Sequence, residues 1–392
     1  MNCILYLHSA SKTDASTEKL VGAREIAVKF GWHVQALDTA LTPQKKKELI
    51  DFWKPIGVIV ECGERKDNAR QADDFGRLPV VYIDRDPDEL RPSPSRFFVI
   101  HDSVAAGRTA ARELLTTGFD TFAFVPFPGR WHWSRERQQG FDEALALNGR
   151  SGTVFETRAT DLDAPAYLRD LQRFLSRLKR PCAVFAANDH PAEKVLAAAD
   201  FLGISVPDEL SVLGVDDYVP LCEHTKPRLS SLKPDFRRGG NLAVLLLAAV
   251  LRDGKSFRGS HIVRYGTLRI ARRDSVGHLL RTNDREVAAA IEYIHNEACN
   301  GLQANDVLKR FSCSRPLAAA RFKAATDRTI LQEIHAVQLE RAKELLRNGN
   351  CELKSISDFC GFTNPNSLRK FFLRETGMTM SAWRAANLSR PA

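Results

Sequence analysis

The stretch ISDFCGFTNPNSLRKFFL, Ile356 to Leu373, repeats the outline of an earlier one, DVLKRFSCSRPLAAARFK, Asp306 to Lys323. Each copy reads as a short helix, a turn of a few residues and a second helix opened by a capping residue. Ser314 is a suitable N-cap, with Pro316 tolerated in the first turn. Asn364 caps the other helix, with Pro365 at its first position. Gly361 supplies a turn conformation that a side chain would resist. Helical spacing sorts the faces. In the first copy Ala318 and Phe322 share one side, while Arg315, Pro316, Ala319, Ala320 and Lys323 share the other. In the second, Leu368 and Phe372 point inward and Pro365, Asn366, Arg369 and Lys370 outward. A recognition helix reads base edges with its N-terminal residues and holds phosphates with its basic ones. The expected DNA contacts are therefore Ser314, Arg315, Ala319, Ala320, Arg321 and Lys323 in the first copy. In the second they are Asn364, Asn366, Ser367, Arg369 and Lys370. Asn366 and Arg369 suit adenine and guanine. Ala319 and Ala320 carry no polar group, which leaves the first copy to read thymine methyls or to sit mainly on phosphates.

Between the copies lies an amphipathic stretch, Ile330–Asn348, with Leu331, Ile334, Leu339, Ala342, Leu345 and Leu346. As one helix it spans about 28 Å, close to the ~34 Å of one DNA turn. A stiff spacer of that length can set two recognition helices into successive major-groove segments. Residues 276–392 hold 17 Lys and Arg against 12 Asp and Glu, within a chain of net charge +9. Basic excess confined to one segment is the footprint of a nucleic-acid partner.

Ahead of this helical part the rhythm differs. Short apolar runs such as Cys3–Leu7, Gly57–Glu61, Thr121–Pro126, Cys182–Ala187 and Leu210–Val215 alternate with helical stretches such as Glu18–Phe30, Ser103–Thr117, Ser134–Leu147 and Ala192–Leu202. Such alternation predicts parallel sheets covered by helices on both faces. Its length suits two similar lobes. The expected organisation is a two-lobed α/β domain at 1–275, a linker at 276–283 and an all-α domain with two helix-turn-helix units at 284–392. In open parallel sheets ligands bind beyond the carboxyl ends of the strands. The eight cysteines form no C-x-x-C pair and stand at no metal-ligand spacing with histidine. They read as reduced core thiols of a cytoplasmic protein without metal or cofactor. The longest apolar run, Leu242 to Leu251, is about half of the ~20 residues a membrane span needs, so no membrane partner is expected.

Residues 284–392 resemble the AraC/XylS-type DNA-binding domain. The resemblance is carried by Ser314-Arg315, Arg321-Phe322-Lys323, the run from Leu339 to Leu346, Ile356, Cys360-Gly361-Phe362, Phe372, Gly377-Met378-Thr379 and Trp383-Arg384. It departs from the pattern at Ala318, Asp327, Leu373 and Met380, where the family usually has Leu, Gly, a basic residue and Pro. The α/β part resembles the LacI/GalR-type periplasmic-binding-protein-like effector domain. Its carriers are the run His101 to Gly107, Thr117-Gly118-Phe119, Ser134 to Phe141, Phe185 to Asp189, Leu202 to Pro207, Leu213 to Asp217 and Ile270 to Arg273. The order of the two parts is similar to that of XylR-like regulators of xylose operons.

By position, the resemblance implies effector contacts from Arg137, Asn188, Asp189 and Asp216. Carboxylates accept hydroxyl protons and an arginine or amide donates back, a set that fits a sugar. Trp131 or Trp133 is placed to cover a pyranose face, and Asp102 and Ser9 stand at strand ends. The resemblance implies a homodimer that binds an operator in double-stranded DNA and responds to a small sugar such as xylose. It also implies an activator that meets RNA polymerase. The alternatives are a constitutive regulator whose α/β half only dimerises, and a sensor of a non-sugar molecule. No G-x-S-x-G, P-loop, H-E-x-x-H or strand-following G-x-G-x-x-G occurs, so no enzymatic activity is expected.

Overall fold

A computed structural model describes residues 2–8, 14–37, 42–62, 75–86, 95–129, 131–253, 259–277, 284–326, 328–347, 356–362 and 364–387. The chain forms two units, Met1–Gly277 and His278–Ala392.

The first unit is built as two lobes. β1 (Asn2–Leu7), α1 (Asp14–Lys29), β2 (Trp32–Leu37), α2 (Pro43–Trp53), β3 (Gly57–Glu61), β4 (Val80–Ile83) and β5 (Ser95–His101) make most of the first lobe. The chain then enters the second through α3 (Ser103–Leu115), β6 (Thr121–Val125), α4 (His132–Ala146), β7 (Gly152–Val154), α5 (Pro165–Arg177), β8 (Cys182–Ala186), α6 (Asp189–Phe201), β9 (Leu210–Val215), α7 (Val219–Cys222) and β10 (Ser230–Pro234). It returns to the first lobe for α8 (Phe236–Asp253) and β11 (Gly259–Tyr265), and ends in the second with β12 (Thr267–Ala271). Three crossovers thus join the lobes. The first sheet runs β11-β5-β4-β3-β1-β2 and is parallel throughout. The second runs β12-β10-β9-β8-β6-β7, with only β12 antiparallel.

Central strands such as Gly57–Glu61, Cys182–Ala186 and Leu210–Val215 are buried along their whole length. That is the condition of strands covered on both faces, and it explains their unbroken apolar runs. The three crossover-side strands β10, β11 and β12 were not legible as such. Ser230-Ser231-Leu232-Lys233-Pro234 reads as polar, yet every residue of it is buried. Its hydroxyls are satisfied internally: Ser230 Oγ accepts from Arg273 N at 2.8 Å, and Ser231 Oγ donates to Asp189 Oδ1 at 2.6 Å. Three helices also begin earlier than their apolar periodicity suggested, at Asp14, His132 and Asp189.

Among the described residues, a helix pair at backbone distance stands in each lobe. A Cβ on Gly22 would stand 2.0 Å from Arg237 O, and one on Gly240 1.8 Å from Lys19 O, so α1 and α8 touch through glycine. A Cβ on Gly107 would stand 2.0 Å from Arg137 O, and one on Gly140 1.9 Å from Val104 O, so α3 and α4 do the same.

The second unit is helical: α9 (Arg285–Glu297), a 3-10 turn (Ala298–Asn300), α10 (Ala304–Leu308), α11 (Arg315–Thr326), α12 (Ile330–Arg347), α13 (Ile356–Phe359), α14 (Pro365–Thr376) and α15 (Met380–Asn387). It has two cores. Val287, Ile294, Val307, Ala318 and Phe322 form one, and Ile356, Cys360, Leu368, Phe372 and Trp383 the other. The shared helix α12 gives Ile330 and Ile334 to the first core and Ala342 and Leu346 to the second. Val276 and Gly277, expected in the linker, belong instead to the first unit. Val276 is buried in the second lobe's core, and Gly277 N donates to Ser211 Oγ at 3.0 Å. The remaining linker residues, 278–283, lie outside the described residues.

The glycine contacts generate a direct expectation. In Gly140→Ala the new methyl meets backbone, which cannot rotate away, so α4 must shift. The variant should lose about 1–3 kcal/mol of stability, the range of an overpacked site, read as a lowered midpoint in denaturant or thermal unfolding. A loss under about 0.5 kcal/mol, the scale of a surface substitution, would show that the two helices separate freely.

Candidate effector cleft and DNA-reading helices

Arg137 occupies the centre of the site in the second lobe. It projects from α4 and is only 5% exposed. Its Nη1 donates to Ala187 O at the end of β8, and its Nη2 lies 3.5 Å from Asp216 Oδ1 at the end of β9. Its guanidinium stacks over Trp133, 4.8 Å from the ring centroid. Its Nε has no partner among the described residues. Trp133 belongs to an aromatic cluster with Phe127 at 5.5 Å and Trp131 at 6.3 Å between centroids, and Trp131 Nε1 donates to Pro128 O at 3.0 Å.

Asp189 is buried at the start of α6. It accepts from Ser231 Oγ at 2.6 Å, Tyr218 N at 2.8 Å and Cys222 Sγ at 3.4 Å. Burial first, and then the Asp216 charge, push its carboxyl up to about 7. Burial also raises Asp216, against the pull of Arg137 and Lys19. Asp216 holds a φ of 110°, a conformation that side chains rarely adopt. Asn188 caps α6, its side chain accepting from His190 N at 3.2 Å. Arg137, Asp189, Asp216, Asn188 and Trp133 are thus brought together, with Trp131 beside them. Asp102 stands at the first crossover, where it caps α3 by accepting from Ala105 N at 3.0 Å. Ser9 lies outside the described residues.

The first lobe contributes a charged cluster that the sequence reading did not name. Lys19 Nζ lies 2.6 Å from Asp84 Oδ2 and 3.2 Å from Glu61 Oε1. Burial alone would lower this ammonium, but the two carboxylates raise it above its ordinary value. Tyr265 Oη donates to Asp84 at 2.8 Å, and His101 N donates to the same carboxylate at 3.2 Å. Burial and the charge of Arg137 hold the His101 ring neutral, down to about 3. The charges of Lys19 and Asp84 reach Asp216 across the cleft. Among the described residues, pairs that cross between lobes include Lys233 to Glu18 at 2.6 Å, Arg264 to Glu136 at 3.2 Å and His132 Nδ1 to Asp86 at 3.7 Å. Glu61 and Asp84 both stand at carboxyl ends of strands, β3 and β4. That position was the available signal for both.

In the helical unit Ala318 and Phe322 are buried on α11, while Ser314, Arg315, Pro316, Ala319, Ala320 and Lys323 are exposed. Arg321 is engaged elsewhere. Its Nε and Nη2 grip Asp284 at 2.7 and 2.6 Å, and its Nη1 meets Glu286 at 2.7 Å. Asp284 in turn caps α9 by accepting from Glu286 N and Val287 N. On α14, Asn364, Asn366, Ser367, Arg369 and Lys370 are exposed. Asn364 caps the helix by accepting from Asn366 N at 2.8 Å, and Arg369 Nη1 donates to Asn366 Oδ1 at 3.3 Å. Gly361 has a φ of +73°, and a Cβ there would lie 2.8 Å from Ala298 O. Gln338 Nε2 donates to the same carbonyl at 2.8 Å.

Residues 111–276 match the model of a periplasmic binding protein-like domain, and residues 307–386 that of a helix-turn-helix domain. The chain is a DNA-binding transcription regulator. The regulator is 27% identical over 342 residues to the xylose operon regulatory protein of Escherichia coli K12, covering 86% of each chain. It is 28% identical over 313 residues to that of Haemophilus influenzae, covering 78% of this chain and 79% of the other. Its fold is similar to that of a solved xylose-binding transcription activator, at a TM-score of 0.56 and 24% identity, over 99% of this chain and 98% of the other. A transcriptional regulator solved with cellobiose matches 70% of the regulator and 84% of its own chain, at a TM-score of 0.54 and 21% identity. Among the described residues no helix is long and apolar enough to cross a membrane.

The Asp189–Asp216 pair sets a pH dependence. Asp189 titrates near 7 when folded and near 3.9 in an unfolded chain. A carboxyl raised on folding contributes stability that is full below its unfolded value and lost as the pH rises through its folded one. Thermal unfolding should therefore shift to lower temperature between about pH 4 and about pH 7. Asp216→Asn removes one of the two causes and should flatten this slope. Parallel slopes in both proteins would show that the carboxyls do not interact.

Proposed function

We propose that this protein is a cytoplasmic, sugar-responsive regulator that activates sugar-utilisation genes as a homodimer on an operator. The observation that carries the reading is Arg137. It is fixed by Ala187 O, Asp216 and Trp133 at the strand ends that face the first lobe. Such a group donates to hydroxyls while the adjacent carboxylates accept from them, and the neighbouring indoles offer a flat apolar surface. Arg137 already has Asp216 as counter-charge, which favours a neutral sugar over an acidic one. The relatives named for xylose make that pentose the first to test.

Closure of the lobes around the sugar changes how the dimer presents its DNA-reading helices. Ser314, Arg315, Ala319, Ala320, Lys323, Asn364, Asn366, Ser367, Arg369 and Lys370 face the duplex. Arg321 acts from behind, holding α11 to α9. As an activator bound beside a promoter, the protein meets RNA polymerase.

The test is a thermal-shift series with pentoses, hexoses and uronic acids, followed by DNA binding at several salt concentrations. A sugar present at about 100 times its Kd should add about 2.7 kcal/mol of stability. Arg137→Ala should abolish that shift while the variant still melts cooperatively. Lys370→Ala should lower the salt slope of DNA binding by about one. No stabilisation by any sugar would remove the sensor from this account, and no salt-dependent DNA affinity would remove the regulator.

A further inference from the structure

We infer that the two recognition helices read DNA by different chemistries: α11 through apolar contact with thymine methyl groups, α14 through hydrogen bonds to purine edges. The inference rests on the reading above that both helices enter the major groove.

On α11, Pro316, Ala319 and Ala320 are exposed and lie about one turn apart on the side away from the buried Ala318 and Phe322. Leu317 flanks them and is 52% exposed. None of these side chains can donate or accept a hydrogen bond. Arg321, the remaining cation at the middle of the helix, is held by Asp284 on one edge and Glu286 on the other. The available cations, Arg315 and Lys323, stand at the two ends of the apolar patch. A hydrocarbon patch bracketed by positive charge is complementary to a groove floor between two phosphate strands. On that floor the only apolar group is the C5-methyl of thymine.

The second helix differs at each of these points. Asn366, Ser367, Arg369 and Lys370 are all exposed and polar. Arg369 Nη1 donates to Asn366 Oδ1, which orients both side chains before any base arrives. A carboxamide pairs with adenine and a guanidinium with guanine.

The full-length protein would first be used to select an operator from random-sequence DNA. Thymines of that operator would then be replaced one at a time by deoxyuridine, which deletes only the methyl. Asn366→Ala marks the half-site under α14, as the one where base preference relaxes. In the other half-site one or two substitutions should weaken binding about fourfold each, the worth of one buried methyl-sized group. Under α14 deoxyuridine should change little. In Ala320→Asn, at an exposed position that leaves the fold intact, selection should move one base of the α11 half-site to adenine. Deoxyuridine without cost in both half-sites, or unchanged selection by Ala320→Asn, overturns the inference and leaves the DNA-reading assignment standing. Selection that enriches no sequence overturns the assignment itself and the inference with it.

Discussion

A guanidinium held at the ends of two parallel strands is the contact on which the sensor half depends. Arg137 has to leave α4 at a height from which it reaches Ala187 and Asp216 together. That height is set behind it, where Gly107 and Gly140 let two helices touch without side chains between them. A methyl group on Gly107 would meet the carbonyl of Arg137 itself and one on Gly140 that of Val104, so either would move α4 and the arginine with it. The site is thus positioned by an absence of atoms several residues away. The same device, Gly22 against Gly240, fixes α1 in the other lobe and with it Lys19.

The two lobes bring unlike chemistry to the space between them. The second offers a stacked arginine, indoles and two carboxyls, Asp189 and Asp216, both raised by burial. The first offers a lysine neutralised twice, by Glu61 and Asp84. Tyr265 ties that cluster to the third crossover, so the first lobe's charged group and a hinge strand are one hydrogen-bonded body.

The parts legible in the sequence were those governed by local pattern. Unbroken apolar runs gave the central strands, and Asn364-Pro365 and Gly361 gave the second helix-turn-helix, down to the capping bond and the left-handed turn. The illegible parts depended on partners distant along the chain. Ser230–Pro234 looks like a loop until Asp189 and Arg273 are brought to its serines. Lys19 looks like a solvated helix residue until two strand ends deliver carboxylates to it. Arg321 sits on a recognition helix and reads as a DNA contact, but Asp284 and Glu286, more than thirty residues earlier, already hold it. Asn188 and Asp102 are strand-end residues whose side chains are at least partly spent on capping helices.

Gly361 sits with its α-carbon against the carbonyls of Ala298 and Cys299, so the second reading head is moored to the first by backbone as well as by the shared helix. Two heads joined in this way form a fixed gauge. One base pair added between their targets turns one target by roughly 35° about the duplex axis, against the Gly361 contact and the shared helix that hold the heads together. If α11 and α14 both enter the major groove as proposed, a promoter that gains or loses a single pair between their targets keeps only one of the two heads in register.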